Sequence, residues 1–274
     1  MSAALGSWVD GVRGDSLPAD DRGLQYGDGV FETILVRAGR ARFLEAHLAR
    51  LSRGCTRLAI SLPSLPALRA EIEAAVAMAP PLAVLKIIVT RGSARRRGYA
   101  PQGNETPRRL LSLWAAPGRD ARLGVDLRVA DIRLGENPAL AGIKHLNRLE
   151  NVLAAAESAS NGVFESLLLD ASGNLTCGAM SNVFIARAGG IATPRIDRCG
   201  VAGVMRGIVL RECAALGIAT AEERLTLDDL FAADEAFITN ARIGVVPVRR
   251  VGEHSFDMNT LARRLAAHIE PLDA

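Results

Sequence analysis

Apolar and polar positions fall in blocks along this chain, and the period of the pattern changes from block to block. Residues 30–36 carry strand propensity, and 82–90 are a near-continuous apolar run rich in β-branched residues, which predicts a buried strand. Between them, 43–58 read as an amphipathic helix with Leu44, His47, Leu48, Leu51 and Cys55 on one face. Ser64 predicts an N-cap for a second helix over 65–78, which Pro80-Pro81 stops. A short hairpin is expected around Asp10-Gly11 and a further strand over 110–115. Ala116-Pro117-Gly118-Arg119-Asp120 is the best linker candidate.

Beyond it the pattern predicts a strand over 125–132, then a helix opened by the segment around Lys144 and running to about residue 158. Strands over 163–170 and 175–186 flank the turn Ala171-Ser172-Gly173-Asn174, and a strand over 191–194 follows Gly189-Gly190. A helix is expected over about 204–216, and Thr226 with Asp229 three residues on predicts a capped short helix. Strands over 235–240 and 245–249 and a last amphipathic helix over about 258–269 complete the chain. The fold class is α+β in two domains: a smaller one over 1–115, a linker over 116–122 and a larger one over 123–274 that carries Lys144.

Composition narrows the function. An apolar fraction of 49% in 274 residues suffices for packed cores, and with 4% aromatics the packing must be aliphatic. A net charge of +3, with both signs mixed along the chain, does not argue for a nucleic-acid surface. No apolar run approaches ~20 residues, and the first ten residues lack a basic start followed by an apolar run, so neither a membrane span nor a secretory signal is expected. Cys55, Cys177, Cys199 and Cys213 suit neither zinc nor a disulfide framework, which reads as reduced thiols in a cytoplasmic protein. The four histidines form no i,i+4 pair and no serine sits in a nucleophile elbow, so no metal is expected and hydrolase chemistry has little support.

One stretch stands apart: Ala141-Gly142-Ile143-Lys144-His145-Leu146-Asn147-Arg148-Leu149-Glu150-Asn151. A lysine in apolar company must be paired or lose its proton, because desolvation disfavours the ammonium. The neutral amine is the form that makes Schiff bases with aldehydes. Composition alone equally allows a surface lysine near a helix start. Glycine-punctuated turns lie at 27–29, 200–203 and 240–244, and the second opens a helix, where backbone amides make an anion site. It is neither a Walker A loop nor a G-x-G-x-x-G fingerprint, and by itself it is only a turn.

Taken together, these pieces resemble the fold-type IV pyridoxal-phosphate enzymes, the class of the branched-chain and D-amino-acid aminotransferases. The resemblance covers residues 20–256 in order. It is carried by Tyr26-Gly27-Asp28-Gly29-Val30-Phe31-Glu32-Thr33, Arg97-Gly98-Tyr99, Arg133-Leu134-Gly135, the Lys144 segment, Ser181-Asn182-Val183-Phe184, Thr193-Pro194, Gly200-Val201-Ala202-Gly203-Val204-Met205-Arg206 and Thr239-Asn240-Ala241. Within the class the chain is most similar to the 4-amino-4-deoxychorismate lyases, chiefly in the Lys144 segment and the Arg-Gly-Tyr loop. The resemblance implies a homodimer and a pyridoxal 5'-phosphate cofactor bound covalently to Lys144, which then serves as general base and acid. It implies Arg50 against the phosphate, with the amides of Val201 and Ala202 and the Asn240-Ala241 turn completing the phosphate cup. Thr33 is implied as the hydroxyl that assists proton transfer, and Arg97 and Tyr99 as facing the substrate carboxylates. Met205 and Arg206 are expected to line the cup. Read alone, Arg50 is equally an exposed helix arginine, Thr33 a strand threonine and Arg97 part of a solvated basic loop.

The chain departs from the family pattern at one position. An acid is expected five residues before Asn182, where it keeps the cofactor's pyridine nitrogen protonated; Cys177 stands there instead. A thiol either ionises beside a pyridinium or leaves a weaker electron sink. Glu165 matches a different acidic position. The reading that follows is a lyase forming 4-aminobenzoate and pyruvate in folate biosynthesis. The alternatives are an aminotransferase for D-amino or branched-chain acids and, because of Cys177, a non-catalytic member of the fold.

Overall fold

The computed structural model describes residues 4–62, 64–94, 98–116, 123–256 and 260–272. The chain forms two compact units, one holding Met1–Gly118 and Ile143–Asn147, the other Arg119–Gly142 and Arg148–Leu272. Residues 143–147, Lys144 among them, thus group with the first unit rather than with the C-terminal part of the chain. Most of the expected linker, 117–122, lies outside the described residues.

In the first unit the elements are β1 (Ala4–Val9), β2 (Val12–Arg13), α1 (Arg22–Tyr26), β3 (Gly29–Arg37), β4 (Arg40–Ala41), α2 (Leu44–Arg57), α3 (Leu65–Val76), β5 (Leu82–Thr90) and β6 (Arg108–Ala115). The strands form one antiparallel sheet in the order β2-β1-β6-β5-β3-β4. One face is closed by α2 and α3: Val30, Ile34, Val36, Leu85 and Ile87 pack with Leu48, Leu51, Leu68 and Ile72. Because side chains alternate along a strand, Phe31, Thr33 and Lys86 fall on the opposite, half-buried face. Ser64 caps α3 through its hydroxyl, as its sequence position predicts.

The second unit comprises β7 (Val125–Leu134), α4 (Leu149–Ser160), β8 (Glu165–Asp170), β9 (Leu175–Gly178), β10 (Asn182–Arg187), β11 (Gly190–Pro194), α5 (Val204–Ala215), β12 (Thr220–Glu223), α6 (Leu227–Phe231), β13 (Glu235–Asn240), β14 (Gly244–Val251), β15 (His254–Ser255) and α7 (Thr260–Ile269). Its sheet runs β12-β11-β10-β13-β14-β7-β8-β9, with β15 against β14. The interior strands β8, β10 and β13 are buried almost throughout. The α+β class is as expected from the sequence. Thr226 and Asp229 make a reciprocal capping box on α6. Among the described residues no helix is long and apolar enough to cross a membrane.

Two local expectations are corrected, and one element is added. The strand expected over 175–186 is two strands, parted at 179–181, where Glu165 accepts hydrogen bonds from the Met180 amide and the Ser181 hydroxyl. Residues 22–26, assigned no element from the sequence, form the short helix α1, with Asp21 accepting from the Gly23 amide as its N-cap. The Lys144 segment does not open α4: that helix begins at Leu149, and residues 143–148 are extended or irregular.

Candidate active site

Lys144 is placed by strand pairing. The Phe31 amide donates to the Lys144 carbonyl (2.9 Å) and the Leu146 amide to the Gly29 carbonyl (3.0 Å), around an antiparallel bridge between Val30 and His145. The segment therefore extends the first unit's sheet beside β3. Glycines permit this approach: a Cβ on Gly29 would lie 2.8 Å from Leu146 Cδ1, and one on Gly27 would lie 2.3 Å from Asn147 Oδ1. The backbone groups that a helix would need are engaged across the sheet instead.

This register puts Lys144 opposite Phe31, on one face with it. Its Nζ lies 4.4 Å from the centre of the Phe31 ring. Two residues along β3, on the same face, is Thr33, and directly across from Thr33 on β5 is Lys86. Lys86 Nζ lies 5.4 Å from the same Phe31 ring. Two lysine side chains and a hydroxyl thus share one half-buried face. Sequence reading overlooked Lys86; its signal was a lone charged residue in the middle of the apolar run 82–90.

The other face of β3 bears Glu32, which meets α2. Arg50 donates from Nε to Glu32 Oε1 (2.8 Å) and from Nη2 to Oε2 (2.5 Å), while His47 Nδ1 lies 2.6 Å from Oε2. All three side chains are buried. Burial alone would raise the Glu32 pKa; the charge and hydrogen bonds of Arg50, with those of His47, outweigh it and hold the carboxyl below its ordinary value. Arg50 is therefore no exposed helix arginine.

In the second unit, the turn before α5 departs from expectation. The Ala202 amide donates to the Gly142 carbonyl (3.0 Å), and the Val201 carbonyl accepts from Asn182 Nδ2 (2.9 Å). The Ala202 amide is thereby committed to the protein's own backbone. No side chain caps α5 at Gly203. The first amides of an α-helix have no intrahelical acceptor, which leaves those of Val204 and Met205 at the start of α5 available to an anion. Arg206 turns the other way, donating to the Pro194 carbonyl and Glu222. Asn240 Oδ1 accepts the Arg242 and Ile243 amides (2.9 and 3.0 Å), which shapes the turn that presents Ala241. Just before it, Thr239 Oγ1 is buried without a hydrogen-bond partner among the described residues. A buried hydroxyl of this kind and an uncapped helix start are donors of the sort a phosphate group takes, so these residues of the second unit fit the cofactor that the resemblance implies.

Cys177 is buried on β9 among Ala130, Leu134, Ala154 and Leu168, with Ala179 and Cys199 beside them. Glu165, on the neighbouring strand β8, is 1% exposed, and both its oxygens serve the 180–181 turn. Burial pushes its pKa up to about 7, against the opposing pull of those hydrogen bonds. The folded protein then holds this proton where the unfolded chain has released it. Stability should fall as pH rises from about 4.5 to about 7, by roughly 3 kcal/mol in total, and level off above. Urea unfolding across that range tests this: the slope attributable to Glu165 should vanish in Glu165→Gln.

Arg97 lies outside the described residues, whereas Tyr99 is described and 84% exposed. Among the described residues no cluster of His, Cys, Asp and Glu could hold a metal ion.

The family of class-IV amino-transferases matches residues 29–251. The chain belongs to that family. Its cofactor is pyridoxal 5'-phosphate. This class-IV protein is 34% identical over 271 residues to an aminodeoxychorismate lyase of Vibrio harveyi, covering 96% of the chain and 98% of that protein. It is 31% identical to a D-alanine aminotransferase of Bacillus licheniformis, over 85% of the chain and 82% of the relative. The crystal structure of 4-amino-4-deoxychorismate lyase from Pseudomonas aeruginosa superposes with a TM-score of 0.92 at 44% identity, covering 98% of this chain and all of that one.

Proposed function

We propose that this class-IV enzyme is a lyase that converts 4-amino-4-deoxychorismate to 4-aminobenzoate and pyruvate. The observation that carries the reading is the shared face of Lys144, Thr33 and Lys86. End-to-end similarity to two lyases supports it. The reading includes a homodimeric, cytoplasmic enzyme of folate biosynthesis, as the resemblance and the reduced thiols of the sequence imply.

When bound, the cofactor withdraws electrons from the substrate carbon that bears the amino group. The Lys144 amine removes the proton from that carbon. The adjacent carbon–oxygen bond then breaks, the ring becomes aromatic, and the enolpyruvyl group leaves with its electron pair. Thr33 is suited to pass a proton to that group, which becomes pyruvate. Lys86, with Arg97 and Tyr99, opposes the substrate carboxylates. Arg50, the amides of Val204 and Met205, and the Asn240-Ala241 turn hold the cofactor phosphate. Aromatisation supplies driving force, so a lyase tolerates Cys177 in place of the acid better than a transaminase would.

The test is production of 4-aminobenzoate, followed by fluorescence, with pyruvate released in equal amount. Amino transfer to 2-oxoglutarate from D-amino or branched-chain donors, with no lyase turnover, would reverse the assignment. Failure of borohydride to trap the cofactor on Lys144 would favour a non-catalytic protein. Lys86→Ala is expected to raise KM roughly 10- to 100-fold, as the loss of a charged hydrogen bond to a carboxylate does, with a smaller change in kcat. Steady-state kinetics measures both.

A further inference from the structure

Gly98 and Tyr99 are held by one side chain on which the reaction makes no direct demand. Arg22, in α1, is 3% exposed and donates from all three guanidinium nitrogens: Nε to Asp28 Oδ2 (2.8 Å), Nη1 to the Gly98 carbonyl (3.0 Å) and Nη2 to the Tyr99 carbonyl (2.6 Å). Asp28 is fixed in turn by Arg91, through Nε (2.7 Å) and Nη2 (3.1 Å). Arg91 also donates to the carbonyls of Leu58 and Ala59, just past the end of α2. Burial would raise the Asp28 pKa, but the hydrogen bonds and charges of Arg91 and Arg22 hold it below the ordinary value, so the carboxylate stays ionised.

This chain of contacts ends on an exposed residue. The Tyr99 ring packs on Tyr26, at 5.3 Å between centres, and Tyr26 lies 5.0 Å beneath the Arg22 guanidinium. Gly98 has φ +122, a conformation that side-chain-bearing residues rarely adopt, and nothing lies within 4 Å of where its Cβ would be. The glycine is there for backbone shape, not for space. Water would satisfy two carbonyls of a surface loop equally well. A buried, fully engaged arginine instead sets them in one place, and a planar fork does so with a precision that a lysine lacks.

We propose that Arg22 is a positioning residue for the substrate, holding the Gly98–Tyr99 backbone so that the exposed Tyr99 side chain is presented to a substrate carboxylate. The inference rests on the lyase reading and on Tyr99 as a substrate contact. Arg22 acts only through Tyr99.

The holoenzymes of wild type, Arg22→Gln, Arg22→Lys, Tyr99→Ala and the Arg22→Gln/Tyr99→Ala pair would be assayed with 4-amino-4-deoxychorismate. Arg22→Gln is expected to raise KM roughly ten- to hundredfold, with kcat within about threefold and the visible absorbance of the lysine-bound cofactor unchanged. Arg22→Lys keeps a charge beside Asp28 and is expected to retain the wild-type melting temperature but not the wild-type KM. In the pair, the two effects on KM should not multiply. Hydrogen exchange at 98–100 should quicken in Arg22→Gln. An unchanged KM in Arg22→Gln overturns the inference even if exchange quickens. So do effects that multiply fully in the pair, or a loss of cofactor absorbance that tracks the loss of activity. If the wild type itself shows no turnover, the lyase reading fails and this inference falls with it, and the wild-type arm alone reveals that case.

Discussion

Lys144→Ala is expected to lower lyase turnover by at least about a thousandfold, since it removes both the covalent hold on the cofactor and the base that takes the substrate proton. The visible absorbance of the lysine-bound cofactor should disappear, and borohydride followed by peptide mapping should find no label at position 144. Folding should survive. The segment is tied to β3 through its backbone, by the Lys144 carbonyl and the Leu146 amide, and alanine keeps those bonds. The side chain's contact with the Phe31 ring contributes about 0.5–1 kcal/mol to stability. Lys144→Arg should restore that contact and not the activity. Undiminished turnover in Lys144→Ala would defeat the proposed chemistry outright.

The second large effect is expected at Arg50. Arg50→Met leaves the Glu32 carboxylate buried, 1% exposed, with only His47 of its two described partners. Removing one member of such a pair costs about 3–5 kcal/mol of stability. Urea unfolding of the cofactor-free protein is the measurement. The double variant Glu32→Leu/Arg50→Met should recover part of that loss, because two apolar side chains need no compensation for desolvation, although the buried His47 ring loses its Glu32 partner. It should not recover cofactor affinity. If Arg50 meets the phosphate, both variants bind pyridoxal phosphate about 2–5 kcal/mol more weakly, roughly 30-fold to a few thousandfold in Kd. Stability that recovers together with affinity would show that Arg50 serves the fold alone.

These two residues also mark how far the sequence could be read. Lys144 stood out because a lysine in apolar company is unusual, and the surrounding motif carried a family resemblance along most of the chain. Its local structure was misread. The apolar spacing after Leu149 is helical, and extending that pattern back to Lys144 was natural; the helix stops short because the backbone of 144–146 pairs with β3, more than a hundred residues earlier. The turn before α5 differs from its sequence appearance for a related reason. Gly200-Val201-Ala202-Gly203 looks like a helix start, but the Ala202 amide is taken by Gly142, so the free helix end begins only at Gly203. Lys86 went unnoticed because its meaning depends on which strand lies beside it.

What the sequence determined by itself is what depends on near neighbours along the chain. The strand over Leu82–Thr90, the Ser64 cap and the Thr226–Asp229 capping box all follow from residues within a few positions of one another. So does the chemical type of the site, through the short motifs around Lys144 and Thr33. Tertiary structure decided which of these groups share a surface. Register across β3 and β5 puts Thr33 beside Lys86, and pairing with the 144–146 segment adds the amine. Alternation along β3 sends Glu32 to the opposite face, against His47 and Arg50. The reason is geometric: a shift of one residue in strand pairing moves every side chain to the other face, and that choice is made by packing between distant segments.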